Sequence, residues 1–270
     1  MSKKAAAPIG IFDSGIGGLT VAKAVKNLMP MEQIIYFGDT AHLPYGDKST
    51  AAIQAYSVKI AHLLLQEKCK LILIACNSAS AAAYELVKAY VGSQAKVLNV
   101  IDPVVDYIRE TYGDQRVGLI GTKQTVHSGV YQRKIAELNE GITFSALATP
   151  LLVPMIEEGF YKSDISQTII GNYLNKPELK HLKALILGCT HYPLIKHEIE
   201  ELYKGKAEVI DSSEIVAKAT KAYLEFNNLL HQETPKKDRF LVSDYTMSFE
   251  HATQIFFGQE VELEKFPLWE

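Results

Sequence analysis

The sequence predicts an α/β protein of two similar lobes, each a mostly parallel sheet flanked by helices, with the active site in the cleft between them. Three observations carry that prediction. Short, continuous apolar runs alternate with amphipathic stretches along the chain. The strand motifs of the first half return in the second half, in the same order. In each half a cysteine follows one of the apolar runs.

Ile9-Gly10-Ile11-Phe12 reads as a first strand, and a glycine-rich turn leads from it into a helical run, Leu19 to Met29. Ile34-Ile35-Tyr36-Phe37 is a second strand, with an amphipathic helix from Thr50 to Lys68 after it. Leu71-Ile72-Leu73-Ile74-Ala75 is a third, followed by a helix from Ser80 to Tyr90, and Val97-Leu98-Asn99-Val100 is a fourth. A strand with one wet face alternates apolar and polar residues. These runs are almost wholly apolar, so both faces are covered, as in a parallel sheet between helix layers. Strands and helices in alternation define the α/β class.

The pattern then restarts. Val117-Gly118-Leu119-Ile120-Gly121-Thr122 echoes Ile9-Gly10-Ile11-Phe12-Asp13-Ser14 at an offset of 108 residues. Ala184-Leu185-Ile186-Leu187-Gly188-Cys189-Thr190 echoes Leu71-Ile72-Leu73-Ile74-Ala75-Cys76-Asn77 at an offset of 113. Any two buried strands look alike, so the weight rests on shared order and near-equal spacing, which predict a duplicated lobe. The expected division is 1–100 plus 210–270 for the first lobe and 101–209 for the second. Beyond 210 come a helix from Ser213 to Asn227 and the strand-like Phe240-Leu241-Val242, whose simplest home is the first lobe. The rest of the tail from 228 is read only as soluble and partly strand-like.

Composition narrows the function. The 270 residues are 47% hydrophobic and 22% charged, a balance that supports a substantial core. Net charge is -3, with Lys and Arg scattered among Asp and Glu, so no basic face invites nucleic acid. Lys236-Lys237-Asp238-Arg239 reads as solvated surface. No apolar run approaches the roughly 20 residues of a membrane helix. The start, Met1 to Pro8, resembles a leader only faintly, because Pro8 and Asp13 cut short its apolar part. A cytoplasmic enzyme is expected. Three cysteines, at 69, 76 and 189, are too few and too odd in number for a disulfide framework and are read as thiols.

Cys76 and Cys189 each stand at the C-terminal end of a predicted parallel strand, where open α/β sheets bind ligands. Two facing lobes would set these thiols on opposite walls of one cleft. A thiol ionises near 8.5, a value its surroundings can tune. One thiolate can take a proton from carbon while the opposed thiol delivers another, which inverts the centre. Asn77-Ser78 and Thr190-His191 follow the two cysteines at expected helix starts, where backbone N–H groups hold anions. His191 can tune Cys189. Asp13, in Asp13-Ser14-Gly15-Ile16-Gly17-Gly18, can assist Cys76 or hold a substrate ammonium; its bland reading is a helix N-cap. That loop lacks the Gly-Lys-Ser/Thr of a nucleotide P-loop and the dinucleotide spacing. Leu43-Pro44-Tyr45-Gly46 is a turn on the same side of the sheet. Glu157 and Glu158 precede Gly159, as at a helix C-terminus. Cys69 ends a helix with no polar loop beside it and is read as structural. No C-x-x-C or H-E-x-x-H spacing marks a metal site, and no lysine stands at a strand end to hold pyridoxal phosphate.

Four segments in order resemble the glutamate racemase family over nearly the whole chain. They are Gly10 to Val21, Phe37 to Gly46, Ala75 to Ser80, and Leu187 to Pro193. The resemblance implies a cofactor-independent isomerase that interconverts L- and D-glutamate with neither pyridoxal phosphate nor metal. It implies a supply of D-glutamate for peptidoglycan, a role in cell-wall biogenesis and cell shape, and a homodimer. It assigns Cys76 to D-glutamate and Cys189 to L-glutamate, with Asp13 assisting the first thiol, His191 the second, and Glu157 supporting the pairs. Substrate contacts would come from Asp13, Ser14, Tyr45, Gly46, Asn77, Ser78, Thr190 and His191. Two positions depart from the family. Ser78 replaces its usual Thr and keeps the hydroxyl. Thr149 stands before Pro150 where many members have Cys. The short N-terminus also lacks the extension of members activated by a cell-wall precursor. The nearest alternative is a related racemase of aspartate or another amino acid. One of another class is a DNA gyrase-binding inhibitor as a second role; a gyrase assay with both cysteines replaced separates it from catalysis.

Overall fold

The structure, a computed structural model, describes residues 4–234 and 236–270, so the Met1-Ser2-Lys3 start lies outside the described residues. The first part of the chain supplies β1 (Ile9–Asp13), α1 (Leu19–Leu28), β2 (Ile34–Gly38), α2 (Thr50–Gln66), β3 (Leu71–Ile74), α3 (Asn77–Val91), β4 (Lys96–Asn99) and α4 (Asp102–Thr111). The second supplies β5 (Arg116–Gly121), α5 (Lys123–His127), α6 (Val130–Glu137), β6 (Thr143–Ala148), α7 (Leu152–Glu157), α8 (Asp164–Leu174), β7 (Ala184–Gly188), α9 (Lys196–Tyr203) and β8 (Glu208–Ile210). The chain closes with α10 (Ser212–Phe226), β9 (Arg239–Val242), α11 (Met247–Phe257) and β10 (Leu263–Lys265).

These strands form two parallel sheets, in the orders β10-β9-β2-β1-β3-β4 and β6-β5-β7-β8. The quartet β2-β1-β3-β4 thus recurs as β6-β5-β7-β8. The repeated sequence motifs occupy equivalent places in it: β1 and β5 lie between their neighbours, and β3 and β7 beside them. In the first sheet Ile9 pairs with both Ile34 and Leu71, and in the second Val117 pairs with Ala184. Every residue of β1, β2, β3 and β7 is buried, as expected of strands covered on both faces. Ile11 and Leu73 face a core that continues under the second sheet, while Phe12, Ile72 and Ile74 face a second core under α2 and α3.

Capping moves two helix limits from where periodicity puts them. The Ser80–Tyr90 helix begins at Asn77, because the Cys76 sulfur caps it by accepting the Ala79 N–H at 3.4 Å. The Thr50–Lys68 helix ends at Gln66, because Lys68 turns left-handed (φ 58°) and the Cys69 N–H closes back on the Leu64 carbonyl. The tail extends the first sheet: β9 pairs with β2, Ile35 opposite Arg239, and β10 pairs with β9. The charged run Lys236-Lys237-Asp238-Arg239, which leads into β9, is partly engaged. Asp238 pairs with Lys26 at 2.9 Å, and Arg239 with Glu67 and Glu264 at 3.1 and 3.0 Å. Among the described residues no helix is long and apolar enough to cross a membrane.

One buried charge pair joins four distant segments. Lys70 Nζ, fully buried just before β3, donates to Glu32 Oε2 at 2.6 Å, to the Ala5 carbonyl and to the Leu229 carbonyl. Glu32 Oε1 accepts the His231 N–H at 2.7 Å. Burial pulls the Lys70 ammonium below its ordinary range, and the Glu32 carboxylate opposes that pull. Lys70→Met strands a buried carboxylate, so it should cost about 3–5 kcal/mol. Adding Glu32→Gln removes the charge, keeps an acceptor for His231 and should restore much of the loss. Urea unfolding midpoints of the two variants check this; equal midpoints would refute it.

Candidate active site

The residues with chemistry follow strand ends. Ser14 follows β1, Tyr45 lies in the loop after β2, and Cys76 follows β3. In the other sheet Thr122, Thr149 and Cys189 follow β5, β6 and β7. Parallel strands point their C-terminal ends, and so these loops, to the same side of each sheet. The loops meet around a cavity of about 140 Å³. That is smaller than the roughly 300–1,000 Å³ of drug-sized pockets and suits a small substrate.

Of the residues expected from sequence, Ser14, Tyr45, Gly46, Cys76, Asn77 and Ser78 line this cavity from one side. Glu157, Cys189, Thr190 and His191 line it from the other. Asp13 lies behind Ser14, fully buried and off the cavity wall. It is not the helix cap: Gly18 caps α1 without a side-chain bond, and Asp13 Oδ2 instead accepts the Gly15 N–H at 3.0 Å. Burial pushes the Asp13 carboxyl up, against the pull of His191 and of the Gly15, Gly18 and Ser14 N–H groups. Cys69 stays in the core beside Gly10, away from the cavity, and burial pushes its thiol up to about 12.

The two cavity thiols have different surroundings. Cys76 caps α3, and its sulfur accepts the Ala79 N–H at the positive end of that helix. Its thiol donates toward Ser14 Oγ at 3.7 Å. Burial, with the Asp13 charge behind it, pushes this thiol up to about 12, although Ala79 N–H and Ser14 pull it down. The expected helix start after Cys189 is replaced by a short 3-10 turn, Tyr192–Ile195, and α9 begins only at Lys196. Pro193 has no N–H to continue an α-helical ladder, and Tyr192 N–H closes directly onto the Cys189 carbonyl. A side chain supplies the charge there instead. His191 Nδ1 lies 3.7 Å from Cys189 Sγ, and Nε2 lies 3.0 Å from Glu157 Oε1. Burial works against a charged imidazole, but hydrogen bonds to the Cys189 sulfur and to Glu157 outweigh it and raise His191 to about 10.

Contacts across the cleft fix the two sides. A Cβ on Gly17 would sit 2.5 Å from the His191 ring and 2.7 Å from Thr190 Oγ1, so only glycine lets this turn reach them. Thr20 Oγ1 donates to the Thr190 carbonyl at 3.1 Å. Tyr131 Oη donates to Asn77 Oδ1 at 2.8 Å, which leaves the buried Asn77 amide nitrogen without a partner at the cavity. Ser78 Oγ meets Thr122 Oγ1 at 2.9 Å, and Lys123 pairs with Asp47 at 3.1 Å. Within the second side, Thr149 Oγ1 meets Tyr192 Oη at 2.7 Å, a bond that a thiol at 149 would make only weakly.

Thr122, Lys123, Thr149 and Tyr192 line the cavity without a sequence-based role. The duplication holds a signal for the first of them, since Thr122 is the counterpart of Ser14. Among the described residues no group of three or more His, Cys, Asp or Glu side chains is placed to hold a metal ion.

The raised His191 value has a definite sign. Its proton favours the native state fully below the unfolded value near 6.5, and that contribution is lost as pH rises through about 10. Glu157→Gln removes one of the two groups that raise the ring and should lower the imidazole value. The shift should be partial, because Glu157 is 37% exposed and so screened. An NMR titration of the His191 ring reads it; no shift would leave the Cys189 sulfur as the whole cause.

The Asp/Glu/hydantoin racemase family model matches residues 19–220. A glutamate racemase of Chlorobaculum parvum is 38% identical over 255 residues, covering 94% of this chain and 93% of that one. The crystal structure of glutamate racemase from Francisella tularensis in complex with D-glutamate superposes with a TM-score of 0.91 at 37% identity, over 98% of this chain and 99% of that one. Glutamate racemase from Thermus thermophilus, in complex with beta-chloro-D-alanine, gives 0.86 at 39% identity, over 98% of each chain.

Proposed function

Because the chain belongs to the Asp/Glu/hydantoin racemase family, we propose that it racemises glutamate by proton transfer between Cα and two cysteines, without organic cofactor or metal. The observation that carries this reading is the pair Cys76 and Cys189, which follow equivalent strands of the two sheets and line one cavity. The two nearby structures named as glutamate racemases, one holding D-glutamate, supply the substrate.

In one direction the Cys189 thiolate takes the Cα proton of L-glutamate. The electron pair spreads into the α-carboxylate, and the Cys76 thiol delivers its own proton to the opposite face. The product is D-glutamate, Cys189 ends protonated and Cys76 ends as thiolate. The reverse reaction exchanges the roles. Charged His191, held by Glu157, is the counter-ion for sulfur at Cys189. At Cys76 the α3 N-terminus and Ser14 stabilise the thiolate, while Asp13, behind Ser14, opposes it and favours return of the proton. The free Asn77 amide, the hydroxyls of Ser14, Ser78 and Thr190, and the Tyr45-Gly46 turn are the substrate contacts. Asp13 orders that wall through the Gly15 N–H. On this reading the lobes are 1–100 plus 210–270 and 101–209. The protein is a cytoplasmic homodimer, and its D-glutamate goes to peptidoglycan.

Incubation with L-glutamate in D₂O, with a thiol reductant and no added cofactor, should let the circular dichroism signal decay to zero while deuterium enters at Cα. Turnover of aspartate instead would move the substrate to the related branch. Cys76→Ser and Cys189→Ser should each lose about 10²–10⁴-fold in rate, since each removes one acid/base partner. Cys69→Ser should stay within about twofold of the parent, as a buried swap remote from chemistry. Equal damage from all three would refute the assignment.

A further inference from the structure

The loop between β2 and α2 carries Tyr45 and Gly46 to the cavity, and its own anchor is a buried carboxylate. Asp39 directly follows β2 and is fully buried. Four side chains converge on it. Tyr45 Oη donates to Oδ2 at 2.7 Å, and His42 Nδ1 lies 3.0 Å from the same oxygen. Ser243 Oγ and Trp269 Nε1 each donate to Oδ1 at 2.8 Å. Of these four donors, only Tyr45 lines the cavity. Ser243 and Trp269 belong to the tail, outside the residues 19–220 matched by the family model.

The tail also grips the loop around Asp39. Ser243 Oγ accepts the Ala41 N–H at 2.9 Å, and Thr40 Oγ1 accepts the Asp244 N–H at 2.9 Å. Trp269, the second-last residue and the only tryptophan, is held by rings and a cation. Its ring meets His42 edge-on at 4.6 Å and Tyr56 at 5.4 Å, with Lys59 Nζ 4.7 Å from its centroid. His42 in turn stacks on Tyr56 at 4.0 Å.

We propose that Asp39 and Trp269 are positioning residues for glutamate binding: the C-terminal end of the chain clasps Asp39, and Asp39 holds the Tyr45-Gly46 wall against the substrate. This rests on the racemase reading above. A carboxylate that has lost one of its buried donors re-aims its remaining bonds, and the Tyr45 hydroxyl is one of those. Neither thiol depends on this network. Cys76 is held by α3 and Ser14, and Cys189 by His191. Loosening the clasp therefore weakens substrate binding and leaves proton transfer in place.

The wild-type enzyme is assayed first, since absence of glutamate turnover would defeat the racemase reading and not the clasp. Given turnover, Trp269→Phe keeps the packing and removes the N–H donor. It should raise KM for both enantiomers about tenfold, near 1.4 kcal/mol, with kcat within about twofold. Unchanged KM, or a loss confined to kcat, would overturn the proposal. Trp269 also reports on its own role. Its emission should change saturably as L-glutamate fills the cavity, with a midpoint at KM, and Tyr45→Phe should abolish that change. Emission indifferent to glutamate, or a response that survives Tyr45→Phe, would likewise overturn it.

Discussion

The approach of the glycine-rich turn to His191 is the contact on which the rest of the cavity depends. At 2.5 Å from where a Cβ on Gly17 would stand, the imidazole leaves no room for a side chain at that position. This closeness brings the loop after β1 against the loop after β7, one from each sheet. Once that distance is set, the remaining bridges follow: Thr20 to Thr190, Tyr131 to Asn77, Ser78 to Thr122. Around the cavity the two sides are thus bonded directly to each other.

The two halves share strand order and yet differ where charge matters. β1 ends in Asp13, and the matching end of β5 is Gly121. Two residues after Cys76 stands Ser78, and two after Cys189 stands His191. A buried acid thus backs one sulfur, and a raised base supported by Glu157 attends the other. A pair of thiols in identical surroundings would share one proton affinity. Placing the acid in one half and the base in the other separates the two sulfurs electrostatically while the backbone keeps them equivalent.

Fold and site were unequally legible in the sequence, for physical reasons. Strands buried on both faces leave continuous apolar runs, so β1, β2, β3 and β7 can be read directly. The edge strand β6 is only partly buried and carries Ser145 within its run, so it leaves no such mark. Cys76 and Cys189 stand out because strand ends locate them. Asp39 does not, although it lies within the family-like stretch Phe37 to Gly46. Its donors Ser243 and Trp269 lie 204 and 230 residues away, and no local pattern carries that information. Likewise the 3-10 turn after Cys189 looks like a helix start until Pro193 is taken into account.

The return of the tail to the first sheet has a consequence for how the chain is made. β9 lies beside β2, so Gly38 waits for Val242. At ribosomal speeds of about 5–20 residues per second, that delay is roughly 10–40 seconds. Before it ends the second sheet, whose strands are consecutive, is already complete at Ile210, while the flank of β2 is still an open edge with unpaired backbone groups. The Glu32–Lys70 pair likewise stays incomplete until Leu229 and His231 emerge. The half of the molecule that begins first is therefore the half that finishes last, and chaperone capture or misassembly during synthesis is most acute at β2.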